Sequence, residues 1–123
     1  MKTELAEIQT SLQDAFKKHI PTLRVNKDTP QNFEVTGDIP AQYGKKMVDG
    51  YYFGSIVPKP KDIRFYFFPI YTHVKEFNIS DEMKKCLKGK SCFHVKKLSP
   101  ELEQEFNDMI TKGVELYKKE GWI

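Results

Sequence analysis

The residues of this 123-residue chain best suited to bond-making chemistry are two cysteines and three histidines. Cys86, Cys92 and His94 fall within nine residues of one another. Thiols and imidazoles bind zinc and serve as nucleophiles or bases. Five residues separate the cysteines, more than a zinc knuckle uses, and there is no second cysteine pair. His73 could complete a ligand set only through the fold. A core thiol and a surface histidine are the plainer reading, so no metal and no cofactor is assigned. Lysines near both cysteines would lower a thiol pKa. No partner base is visible for either one, which leaves Cys92 or His94 chemistry in a small enzyme as an alternative and a non-enzymatic role as the preferred reading.

Gly89-Lys90-Ser91 superficially resembles the end of a phosphate-binding loop, but the required first glycine is replaced by Lys84. Ser91 also leads into a strand pattern rather than a helix, and a nucleotide P-loop is excluded. Gly89 instead reads as a left-handed helix cap. A turn flanked by Lys88 and Lys90 could still hold a small anion.

The strongest non-random feature is aromatic: Tyr51, Tyr52, Phe53, Phe65, Tyr66, Phe67, Phe68 and Tyr71. Most belong in a core, because aromatic pairs across strands stabilise a hairpin. Period-two alternation places Ile63, Phe65 and Phe67 on one face, and Arg64, Tyr66 and Phe68 on the other. Tyr52, Arg64, Tyr66, Phe68, Tyr71, Lys90, His94 and Lys96 then form the candidate ligand site. Rings beside cations suit a small anionic or aromatic ligand, or a protein segment. Modest charge and the lack of a recognised motif argue against nucleic acid.

These residues need elements to hold them. Leu5, Ile8, Leu12, Ala15 and Phe16 recur at helical spacing, which predicts a helix over 3–19, with Thr3 as its cap and Pro21 as its stop. Asn32–Thr36 alternates as a strand, with Gly37-Asp38 as its turn. The stretch 39–49, with Pro40 and Gly44, reads as loop or a short helical turn. Strands follow over 51–57 and 63–68, joined by the Pro58–Asp62 turn. Ser80 caps a short helix over 81–88. Residues 91–95 form a strand with Phe93 and Val95 on one side and Cys92 and His94 on the other. Ser99-Pro100 opens a last helix, striped by Leu102, Phe106, Met109, Ile110 and Gly113 and ended by Gly121.

The expected fold class is α+β: two layers, with an antiparallel sheet packed by N- and C-terminal helices in a single domain spanning 1–123. Size scaling supports one core, with about two-thirds of the unfolded surface buried. Hydrophobic residues make up 39% and charged residues 30%, which excludes disordered and membrane compositions. No apolar run could cross a membrane, and the N-terminal residues lack the pattern of a signal peptide, so a cytoplasmic location with reduced cysteines is expected. The net charge of +3 is unevenly spread. Residues 83–100 hold six lysines and no acid; residues 45–64 hold five basic residues and two acids. Those stretches together carry +9 against −6 for the remainder. They make a basic face for an anion, or a solvated lysine fringe.

Three segments carry a family likeness: Tyr52-Phe53-Gly54-Ser55-Ile56, Arg64 to Tyr71, and Leu87 to Lys97. They resemble the YdhG-like family of small bacterial proteins, over residues 50–120, and Gly89-Lys90-Ser91-Cys92-Phe93 is the most specific part. The resemblance implies a two-layer α/β domain similar to secretion-chaperone and frataxin-like architectures, and no catalytic residues. One branch of that family resembles frataxin as an iron chaperone, which would want an exposed carboxylate ridge. Here the acids lie on the terminal helices (Glu4, Glu7, Asp14; Glu101, Glu105, Asp108), where helix dipoles account for most of them. The expected function is therefore a binding or chaperone-like protein using an aromatic, basic-edged sheet face. An iron-binding metallochaperone is an alternative. A homodimer through a free strand or the aromatic face is a further expectation.

Overall fold

The computed structural model describes all residues, Met1–Ile123. Its accessible surface of 7139 Å² matches the roughly 7,000 Å² that size scaling gives for one folded domain of this mass. Helix α1 (Leu5–Lys17) buries Ile8, Leu12, Ala15 and Phe16, the residues its periodicity singles out. It starts later than expected. Glu4 takes the cap position and makes no side-chain cap bond, so Thr3 does not cap the helix.

The next hairpin was only half visible in sequence. Strand β1 (Arg24–Thr29) pairs with β2 (Asn32–Thr36), and Thr29 Oγ1 accepts from the Asn32 amide at 3.0 Å to close the turn. Five of the six β1 residues are exposed, so no apolar alternation marks it. The turn of this hairpin is at Pro30-Gln31, and after β2 the chain bends at Asp38-Ile39. Residues 39–49 are also not loop. They form a small two-stranded hairpin of β3 (Ala41–Tyr43) and β4 (Lys46–Val48), with Gly44 at φ +63° in its turn.

Strands β5 (Tyr52–Pro58) and β6 (Ile63–Phe67) form the expected aromatic hairpin. A short helix α2 (Pro69–Thr72) and a 3-10 turn (Val74–Glu76) follow. Helix α3 (Asp81–Cys86) is capped by Ser80, whose hydroxyl accepts from the Met83 amide. It ends before Gly89. Leu87–Lys88 become β7, and Gly89 (φ +81°) turns that strand into β8 (Cys92–Val95). The left-handed glycine thus serves a hairpin and not a helix end. Helix α4 (Pro100–Glu120) begins and ends as its signals require: Ser99 Oγ accepts from the Leu102 amide at 3.1 Å, and Gly121 is left-handed at φ +78°.

The architecture is α+β, with one six-stranded antiparallel sheet in the order β1-β2-β5-β6-β8-β7. Cross-strand register lines up Phe33, Ile56, Phe65 and Phe93 on one face. Phe16 of α1 stacks on Phe65 at 5.3 Å, and Phe106 of α4 meets Phe65 edge-on at 4.8 Å. Both long helices therefore lie against the same side. Burying each such ring is worth about 1.5–3 kcal/mol. Gly54 permits this closeness, since a Cβ there would stand 2.8 Å from Phe16 Cζ and 2.5 Å from the Tyr66 carbonyl oxygen. No helix is long and apolar enough to cross a membrane.

Candidate ligand-binding face

Because both long helices cover the Phe65 side, the opposite side of the sheet is left to its own side chains and to the β3–β4 hairpin. Alternation along β6 brings Arg64 and Tyr66 there, half-buried, between the buried Ile63, Phe65 and Phe67. Register places Tyr66 opposite Ser55 on one side and Cys92 on the other, and Arg64 opposite Val57 and His94. Tyr52, Arg64, Tyr66 and His94 are brought to this side of the sheet.

Arg64 is the organised member. Its Nε donates to Asp62 Oδ1 at 2.8 Å, and its η nitrogens meet no protein acceptor. Asp62 is buried, and its other oxygen lies 3.7 Å from His94 Nδ1. One carboxylate thus steadies the guanidinium and stands beside the imidazole. That hydrogen bond holds the Arg64 pKa above its ordinary value. Asp62 was missed in sequence because it closes the Pro58–Asp62 turn and reads as a turn former. The Asp-x-Arg spacing at a strand start was the available signal, since residues two apart share a face.

Tyr52 is less free than expected. Its hydroxyl is 2.7 Å from Ser55 Oγ, its carbonyl accepts from the Tyr117 hydroxyl, and burial pushes its phenol far up. Met47, Val48 and Asp49, at the β3–β4 hairpin, overhang Tyr52, Glu34 and Asn26 and enclose a trough of about 390 Å³. Neither this hairpin nor Glu34 figured in the sequence reading.

The other predicted residues sit elsewhere. Phe68 packs among Tyr43, Tyr51, Tyr52 and Tyr71, with centroids 5.4–6.0 Å away, as part of a second aromatic cluster. Its neighbour Tyr51 stacks on Trp122 at 3.8 Å and 3°. Tyr71 is 48% exposed, with Lys90 Nζ 5.4 Å from its ring centroid. Lys96 stands with His94 at a cleft on the far edge of β8. The eight residues form three neighbouring patches, because α2 turns the chain away after Phe67 and β8 ends at Val95.

The thiols are not activated. Burial pushes both Cys86 and Cys92 up, outweighing the downward pull of Lys88 on the first and of Tyr66 and Arg64 on the second. This reverses the lowering expected from nearby lysines. No group of three or more His, Cys, Asp or Glu side chains converges on a metal-sized point. Of the helix acids, Glu105 accepts from Ser80 and Asp108 from Gln104. Comparison of the chain with protein-family models, curated proteins and solved structures finds no match.

Proposed function

We propose that this protein is a binding domain whose open sheet face takes a small aromatic anion. The observation that carries this is Arg64: anchored at Nε by buried Asp62, it leaves its η edge without a protein partner, one strand position pair from the Tyr66 ring. A guanidinium held by its own carboxylate keeps its planar fork in one orientation, which suits the two oxygens of a carboxylate. Tyr66 supplies a flat apolar partner for a ring, and the trough beneath the β3–β4 hairpin extends the surface. The raised thiols favour binding over thiol chemistry.

Benzoate and phenylacetate titrated into the full chain, followed by amide NMR shifts, test this. Saturable shifts at residues 55–66 and 92–94 are expected. Arg64→Lys keeps the charge, loses the fork and weakens binding at least about tenfold; Tyr66→Ala does the same. Unchanged binding in both folded variants overturns the reading.

A further inference from the structure

The lysine-rich stretch 83–100 folds back on itself. Helix α3 runs directly into β7, which pairs only with Cys92 and Phe93 of β8. Past that point the chain of β8 continues through His94 to Lys97 while α3 leaves its edge, and the gap is a cleft of about 320 Å³. Lys85 enters from α3, Lys88 from β7, and Lys96 and Lys97 from the segment that follows β8. None of these four ammonium groups has a carboxylate within 4.0 Å; the protein's ion pairs are all made by other residues.

Two acids reach the cleft, and both are engaged. Asp62 holds Arg64, and Glu82 Oε2 accepts from the Ser99 hydroxyl at 2.9 Å. That bond also ties Glu82 to the cap of α4, so the acid cannot swing to neutralise a lysine without giving it up. Leu102 and Cys86 supply a short apolar floor. Like charges gathered in a concave place without counter-ions raise the local potential and draw multivalent anions. Ammonium groups on flexible stems, each with three donors, adapt to the dispersed oxygens of phosphates rather than to one planar carboxylate. The cleft is of the size that small-ligand sites occupy.

We infer that this cleft is a second anion site, adjoining the Arg64 face through Asp62 and His94 but built on its own four lysines, taking a compact polyanion of the di- or triphosphate type. Pyrophosphate titrated into the full chain at low salt, read by amide NMR shifts, tests it. Saturable one-to-one binding with shifts concentrated at residues 82–97 is expected. Lys88→Gln combined with Lys96→Gln weakens it at least about tenfold. Lys45→Gln combined with Lys46→Gln removes equal charge from the β3–β4 hairpin and leaves it within about twofold. Tyr66→Ala, which weakens benzoate and lies outside the cleft lining, leaves pyrophosphate unchanged, so either site can fail without the other. All substituted lysines are exposed, and melting curves confirm that each variant folds. Shifts that grow linearly over every lysine-bearing surface, or equal weakening by both lysine pairs, overturn the assignment.

Discussion

Asp62 shows how much one buried carboxylate organises. It is almost fully buried, yet it holds Arg64 at 2.8 Å and approaches His94 at 3.7 Å. Removing it leaves Arg64 without its anchor, and Asp62→Ala should lower the urea unfolding midpoint with no change in slope. The thiols give a second prediction at this scale. The Tyr66 hydroxyl, opposite Cys92 across β6 and β8, pulls the thiol pKa down, against a larger upward push from burial. Tyr66→Phe removes that pull, so Cys92 should ionise at still higher pH and alkylate more slowly with iodoacetamide, while Cys86 keeps its rate. A third concerns His19, whose pKa is lowered first by burial and then by Lys18 and Lys118. Its imidazole should titrate in NMR below the ordinary histidine midpoint of about 6.5. The residue therefore favours the folded state above that pH, and loses this contribution as pH falls through the lowered value.

Helix α4 packs against α1, α2 and α3, and two residues at its start and middle argue opposite lessons. Ser99 is buried, accepts from the Leu102 amide and donates to Glu82. Ser99→Ala should lower stability by about 1–2 kcal/mol and loosen α3 with it. Gly113 sits in the middle of the helix, where alanine is intrinsically better by about 1 kcal/mol. A Cβ there would stand 2.9 Å from Phe67 Cζ and 3.1 Å from Phe53 Cζ, ring ends locked in the core. Gly113→Ala should therefore destabilise despite its helix propensity, and a rise in melting temperature would refute this packing argument. The elements that sequence reading missed share a cause. Strand β1 carries Val25, Lys27 and Asp28 at a sheet edge with a register shift, so neither alternation nor apolar content betrays it. The β3–β4 hairpin is three residues a side, too short for periodicity to register.

At the scale of the whole molecule, the packed rings set a pH limit. Burial pushes the phenols of Tyr51, Tyr52, Tyr66 and Tyr117 up, as it does the two thiols. Each group binds its proton more tightly folded than unfolded. Their stabilisation is fully present below the ordinary thiol and phenol values, and is lost as pH rises through the raised ones. The melting temperature should fall steadily from about pH 8.5 upward, and a flat profile to pH 11 would contradict the packing of these rings.

The amino-acid order by itself determined the two long helices, the β5–β6 hairpin and the inward row of phenylalanines, because spacing of 3.6 and 2 decides which side chains can share a face. It also announced the caps at Ser80, Ser99 and Gly121, where one residue type meets one backbone need. The three-dimensional arrangement alone decided what those faces meet. Arg64 and His94 are 30 residues apart in sequence and opposite each other only because β6 and β8 are neighbours. The four cleft lysines come from α3, β7 and the segment after β8, and meet where β7 stops after two residues. Local sequence encodes periodicity; which strand lies beside which is set by the collective burial of Phe16, Phe65 and Phe106, and no single segment contains that information.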